Sequence, residues 1–117
     1  MDSILLTIKK LLGVSEEYTT FDIDIMVHIN SALSILTQLG VGPNDGFAIS
    51  GSESSWSDFV SDTSTLEMIK TYIYLRVRLL FDPPSNSFVT TSIEKTISEL
   101  EWRLQVAAEP QEVNKNG

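Results

Sequence analysis

The chain contains no cysteine and only one histidine among its 117 residues. The absence of cysteine excludes a disulfide framework, a thiolate zinc site and a cysteine nucleophile, and it is in keeping with a reducing cytoplasm. Basic residues are also scarce, because 8 Lys and Arg stand against 16 Asp and Glu, for a formal net charge of −8. Nucleic-acid affinity rests mainly on phosphate neutralisation by Lys and Arg, so this balance argues against a phosphate-binding surface.

Long apolar runs are missing too. None approaches the roughly 18–20 residues that a membrane helix needs, and the first ten residues lack the basic-then-apolar order of a signal peptide. The length suits one domain with a single core, and an apolar content of 42% is ordinary for a folded protein. We therefore expect a soluble, intracellular protein with a helical domain over residues 1–108 and a flexible polar tail over residues 109–117.

Four segments have apolar residues at helical spacing. They cover residues 2–12, 20–39 and 65–81, and a fourth segment that follows Pro84 with Ser85 or Ser87 as its cap. Their apolar stripes are Ile4, Leu5, Ile8, Leu11 and Leu12; Ile25, Ile29, Ala32, Leu36 and Leu39; Leu66, Ile69, Ile73, Val77 and Leu80; and Val89, Ile93, Ile97, Leu100 and Leu104. Gly13 and Gly40, each followed by valine, end the first two helices. The sequence predicts an all-α bundle of four main helices, with a long loop between helices 2 and 3.

The third helix is apolar on more than one side, because Tyr72, Leu75 and Leu79 form a second stripe. Such a helix lies at the centre of a bundle or is shared between the core and a partner. A short chain offers little to cover it, which favours self-assembly over catalysis. The predicted core contains Leu36, Leu39, Ile69, Ile73, Val77, Ile97 and Leu100.

The loop over residues 41–64 is rich in serine between positions 50 and 64, yet it holds Trp56 and Phe59. A solvated linker does not need such large apolar groups, so we expect a loop that docks. Ser55 is a suitable cap for a single helical turn that carries both aromatic residues. They should be partly buried against the bundle or against a neighbouring subunit.

Catalytic chemistry finds little support. His28 follows Asp24 by four positions, but no serine lies in a Gly-x-Ser-x-Gly elbow, so a surface contact between the two is the better reading. Asp22 and Asp24 lack further ligands for a metal, and capping of a helix explains them. We expect the chain to have no catalytic, cofactor or metal site, and we expect that it is not an enzyme.

Candidate interface residues are aromatic and arginine side chains, the types enriched where proteins meet. They are Trp56, Phe59, Tyr72, Arg76, Arg78, Trp102 and Arg103. Trp102 lies off the apolar stripe of its helix. The spacings of Arg78 with Asp82 and of Glu99 with Arg103 also fit ion pairs within a helix, which is the simpler explanation for these arginines.

In their order and spacing, several runs resemble the small head–tail connector (adaptor) proteins of tailed bacteriophages and related prophages. The runs are residues 12–14, 24–30, 38–47, 56–59, 70–75, 81–84 and 99–104, and the resemblance extends from Ile8 to Leu104. It implies a mostly α-helical subunit that forms a ring, usually of about twelve copies, below the portal. The ring would join the portal to the stopper or tail-completion protein, extend the DNA channel and help to retain packaged DNA.

The same resemblance implies a place at the head–tail interface of the virion, after synthesis in the bacterial host cytoplasm, with no membrane and no cofactor. DNA would pass through the channel without specific binding, and acidic walls suit that task because they repel phosphates. A C-terminal segment, here residues 106–117, would grip the portal. The alternative is a small acidic helical regulator or protein-binding module that dimerises.

Overall fold

The protein folds into five helices, seen in a computed structural model that describes residues 2–109. They are α1 (Ile4–Leu12), α2 (Asp22–Gln38), α3 (Trp56–Phe59), α4 (Leu66–Phe81) and α5 (Ser87–Ala108). No β-strand occurs in these residues, although an isolated bridge joins Ser3 to Ser55. The all-α prediction is confirmed, with α1, α2, α4 and α5 as the four main helices. The predicted tail lies, apart from residue 109, outside the described residues.

The predicted ends of the first two helices at Gly13 and Gly40 are confirmed. Gly13 and Gly40 have φ angles of +83° and +91°, which a residue with a side chain rarely adopts. The next N–H folds back in both cases, from Val14 to the Lys9 carbonyl at 2.8 Å and from Val41 to the Leu36 carbonyl at 2.9 Å. The starts differ slightly from prediction, because Ser3 caps α1 and Asn86, rather than Ser85 or Ser87, caps α5.

Helix α4 is the centre of the bundle, because it packs against α1, α2 and α5. Its buried side chains are Leu66, Ile69, Tyr72, Ile73 and Val77. Of the second stripe, Tyr72 is buried and Leu75 and Leu79 are partly buried against the core. The subunit therefore covers both apolar sides of this helix with its own elements. The apolar sides of α4 therefore do not by themselves require a partner subunit.

The predicted core is confirmed for Leu36, Ile69, Ile73, Val77, Ile97 and Leu100, which are all buried. Leu39 is only half-buried, because it lies beyond the last residue of α2 at the edge of the core. The predicted stripes also reach too far at their ends: Leu11, Leu80 and Val89 are exposed. Each lies in the first or last turn of its helix, where neighbouring elements no longer cover it.

Lys9 is the unexpected member of the interior, with 0% exposure. Its ammonium group donates to the carbonyl oxygens of Glu16 and Tyr18 at 3.0 and 2.9 Å, and it lies 2.8 Å from Oδ1 of Asp22. A buried charge is tolerated only when it is paired and hydrogen-bonded. Lys9 therefore ties α1 to the following loop and to the first turn of α2.

The serine-rich loop docks against the bundle, as predicted. The amide side chain of Asn30 on α2 donates to the Ile49 carbonyl at 3.0 Å and accepts from the Ile49 N–H at 2.8 Å. The predicted turn forms as α3, and the Asp58 carboxylate accepts from the backbone N–H of Ser55 at 2.9 Å. Gly42 leaves room for the loop, because a Cβ there would clash with the ring of Phe59.

Candidate interface

One group of exposed apolar side chains lies on the outer side of α5. Ile93, Ile97, Leu100 and Leu104 face the core. Because residues on an α-helix are about 100° apart, Phe88, Lys95, Trp102 and Val106 fall on the opposite side. Phe88 is 79% and Trp102 66% exposed. We call these four residues the α5 outer face.

The position of α5 on α4 is fixed by a polar contact at its centre. The buried Tyr72 hydroxyl donates to Oε2 of Glu101 at 2.7 Å. The guanidinium of Arg76 lies 3.5 Å from the same oxygen and 5.9 Å from the Tyr72 ring centre. Hydrogen bonds that involve a charged group are stronger than neutral ones. Since Glu101 is bound inward, the next residue, Trp102, is directed to the outside.

The surroundings of Tyr72 also change its acidity. Burial raises the pKa of the Tyr72 hydroxyl above its ordinary value, and the hydrogen bond to Glu101 raises it further, while the charge of Arg76 acts in the opposite direction. Removal of the proton would bring a phenolate against a carboxylate in a partly dry environment. The hydroxyl is therefore held in its neutral, donating form.

A second exposed apolar patch lies on α2, away from the core. Ile25, Ile29 and Leu36 face inward, so Ile23 and Val27 point outward by the same helical geometry. Ile23 is 73% and Val27 59% exposed. Asp24 is also exposed beside them. We call Ile23, Asp24 and Val27 the α2 outer face.

The seven predicted interface residues are not brought together. Trp56, Phe59 and Tyr72 lie in the core, with Trp56 and Tyr72 at 0% exposure. The indole N–H of Trp56 donates to the Thr7 hydroxyl at 3.1 Å, which satisfies its one polar atom inside the subunit. The accessible side chains of the set are Arg76, Arg78, Trp102 and Arg103. The assignment of any of the seven to an interface stays a prediction.

The two predicted helix ion pairs have different outcomes. Nη2 of Arg103 lies 3.1 Å from Oε2 of Glu99, as the spacing of the two residues predicts. Arg78 instead donates to the Tyr74 hydroxyl at 3.3 Å. The structure gives no ion pair between Arg78 and Asp82, because Asp82 leaves the helix with φ −146° and ψ 68° before Pro83.

The described residues give no support to a His–Asp contact, a metal site or a membrane helix. Asp24 and His28 form no hydrogen bond or ion pair in this part of the chain, so the expected surface contact is not seen. No group of three acidic or histidine residues within positions 2–109 could hold a metal ion. The described helices are also too short or too polar to cross a bilayer.

Sequence reasoning missed the α2 outer face, Phe88 on α5 and the burial of Lys9. A signal for the first was present, because Ile23 and Val27 are four residues apart and off the buried stripe. Phe88 and Trp102 are likewise two whole heptads apart, which keeps them on one side of a helix. Nothing local predicts the burial of Lys9, whose partners are two loop carbonyl groups and the Asp22 carboxylate.

Comparison with protein families gives one match, to the family described as phage connector protein, over residues 4–111. Comparisons with curated proteins and with solved structures give no significant match. The matched range includes all five helices and both outer faces. Because the match covers nearly the whole sequence, the chain belongs to the phage connector protein family.

Proposed function

We propose that this protein is a structural virion component whose copies form a ring between the portal and the stopper or tail-completion protein, where the ring extends the DNA channel. The observation that carries the proposal is the family match over residues 4–111. Family membership favours a structural, non-enzymatic role in the phage particle. The ring and its partners go beyond what the match alone provides.

The surface of the subunit supports such a role. Its core is complete without a partner, since Ile73, Val77 and Trp56 are fully buried. Among the described residues, exposed large apolar side chains lie on α1, α2, α4 and α5 and in the loop before α2, and those on α2 and α5 include the two outer faces. Contiguous exposed apolar patches mark protein–protein contacts. A small subunit that encloses its own core and keeps such patches on its surface suits assembly on a pre-existing platform.

The charge supports passage of DNA without capture. The chain carries a formal charge of −8, and of its basic residues in positions 2–109 only Lys10, Lys95 and Arg103 are exposed. A surface of this kind repels the phosphate backbone. We expect no micromolar binding to duplex DNA in a gel-shift assay at physiological salt. Binding at that level would favour the alternative, a small acidic helical regulator.

The assembly itself is tested with the portal protein encoded by the same phage or prophage. Light scattering coupled to size-exclusion chromatography measures the mass of each protein alone and of the mixture. We expect the mixture to contain a species whose added mass corresponds to many copies of the 13.0 kDa chain. A portal from an unrelated phage is the control. An unchanged portal mass, with a stable dimer of the free chain, would contradict the proposal and favour the dimeric protein-binding module.

A further inference from the structure

We infer that the α5 outer face of one copy packs against the α2 outer face of the next copy, so that the subunit joins to itself through two different surfaces. The inference rests on the proposed ring and adds the surfaces that would close it. The family match does not assign either face to a contact. The argument depends on the exposure, the charge and the separate positions of the two faces.

Both faces carry apolar side chains that their own subunit leaves largely or partly exposed. On α5, Trp102 and Val106 are four residues apart and exposed, and Phe88 is on the same side. On α2, Ile23 and Val27 have the same spacing and are also exposed. Each pair forms a short apolar ridge along its helix. Ridges of this kind pack into the grooves of a second helix.

The charges of the two faces that have no partner within residues 2–109 are opposite in sign. Lys95 is exposed between Phe88 and Trp102, and Asp24 is exposed beside Ile23. The ion pairs within residues 2–109 are Lys9–Asp22, Glu67–Lys70, Arg76–Glu101 and Glu99–Arg103, so neither Lys95 nor Asp24 has a described partner of opposite charge. An approaching copy that carries −8 needs a local cation at the point of contact. Lys95 on one copy and Asp24 on the next supply that pair.

The separation of the faces determines the type of assembly. Both α2 and α5 pack against α4, and their outer faces point away from it as distinct patches. A contact between unlike patches is heterologous, and repetition of a heterologous contact gives a ring when the rotation closes. Contact of α5 with α5 would instead be isologous and would stop at a dimer. The two modes predict different neighbours for the same residues.

Cysteine cross-linking distinguishes these modes without background, because the natural chain has no cysteine. Ser31→Cys lies one turn after Val27, and Ser98→Cys lies between Lys95 and Trp102; both serines are exposed. The two variants, one of them enlarged by a tag, are mixed with a short bismaleimide, in the presence and absence of the portal. Ser57→Cys, at an exposed position on α3, is the matched control.

We expect the mixed Ser31→Cys/Ser98→Cys product to exceed both homodimers and to exceed every product of the Ser57→Cys control. Dominant Ser98→Cys homodimers, or a mixed product at the level of the control, would overturn the inference. If the portal-bound mass still rises while the mixed product is missing, the inference fails and the proposed function stands. If the mixed product forms but the portal gains no mass, the self-contact is correct and the proposed function fails.

Charge reversal gives a second test, in which the two cysteines and the cross-linker stay the same and only the charges change. Lys95→Glu on the Ser98→Cys chain should lower the yield of the mixed product about two- to fivefold, the range of an exposed ion pair. Asp24→Lys on the Ser31→Cys chain should restore it. The four combinations have Lys or Glu at position 95 and Asp or Lys at position 24. Equal yields of the mixed product in all four would show that Asp24 and Lys95 do not pair in the contact, whereas a restored yield supports the pair. The thermal midpoint of each variant checks that its fold is intact.

Discussion

The two tryptophans of this chain occupy opposite environments. Trp56 lies in a loop rich in serine and glycine, yet it is completely buried. Its indole N–H is satisfied by Thr7, and the ammonium group of Lys70 lies 5.7 Å from its ring centre. Trp102 lies in the middle of a 22-residue helix and is two-thirds exposed. The polarity of the surrounding sequence therefore does not decide which tryptophan is inside.

The difference shows what each region contributes. The loop around Trp56 completes the core, since Ile4 and Trp56 use their backbone N–H groups to bind the carbonyl groups of Ser54 and Asp2. The outer side of α5 is largely exposed and is absent from the buried core. We expect substitutions near Trp56 to change the stability of the subunit, and substitutions on the α5 outer face to change only its association.

The largest expected effect is that of Trp56→Ala. Truncation of a buried aromatic side chain removes its packing and leaves a cavity, so the free energy of unfolding should fall by about 3–5 kcal/mol. Chemical denaturation followed by circular dichroism measures the loss. A loss below about 1 kcal/mol, within the range of ordinary surface substitutions and their scatter, would mean that the loop does not dock in solution.

A smaller loss is expected for Tyr72→Phe, which removes only a hydroxyl group. Because this hydroxyl donates to the Glu101 carboxylate at 2.7 Å, its loss should cost about 1–3 kcal/mol. Tyr74→Phe is a matched control, since that hydroxyl is only half-buried and accepts a longer bond from Arg78 at 3.3 Å. Equal losses for the two variants would show that Glu101 does not hold α5 through Tyr72.

The same hydroxyl makes stability depend on alkaline pH. The pKa of Tyr72 is raised in the folded state by burial and by Glu101, whereas an unfolded tyrosine releases its proton near pH 10. Above that pH the unfolded state binds fewer protons than the folded state, so the free energy of unfolding falls as pH rises. Below it, this contribution is fully present. The difference between the natural chain and Tyr72→Phe should therefore stay constant up to about pH 9.5 and shrink at higher pH.

The smallest effect on stability is expected for Trp102→Ala. Because Trp102 is 66% exposed, its truncation should change the free energy of unfolding by less than about 0.5 kcal/mol. The association of the subunit should be affected more strongly, because an exposed tryptophan is a residue type that anchors interfaces. We expect the portal-bound mass to fall sharply for this variant. A large loss of stability with unchanged association would reverse the assignment of the two tryptophans.

The parts of the fold that local rules determine could be predicted from sequence. Helical spacing predicts the buried stripe of Ile69, Ile73 and Val77, and backbone geometry predicts the helix ends at Gly13 and Gly40. The structure confirms both predictions. The docking of the loop was inferred from Trp56 and Phe59, which have no use in a solvated segment. The contact that secures it, from Asn30 to Ile49, joins residues 19 positions apart and has no local signature.

The candidate interface was only partly predictable. The position of Trp102 off its stripe correctly indicated an exposed residue. The assignment of Tyr72 to an interface stays a prediction. Its burial could not be predicted locally, because it depends on α5, which is remote in sequence and contacts Tyr72 through Glu101. Arg78 and Asp82 have the spacing of an ion pair, and the proline after Asp82 prevents it. Lys9 would always be expected at the surface, because loop carbonyl groups give no signal in the sequence.

We propose that the α5 outer face meets other subunits on assembly, whereas Trp56 stays inside its own subunit. Acrylamide quenching tests it directly, because the chain has only 2 tryptophans. In the free protein the Trp102→Phe variant reports Trp56 alone. In each state the difference between the natural chain and this variant reports Trp102, because any tryptophan of the portal cancels. On assembly with the portal, the account predicts that Trp102 becomes protected from acrylamide while Trp56 stays protected throughout. A Trp102 that remains fully quenchable in the assembled complex would contradict it.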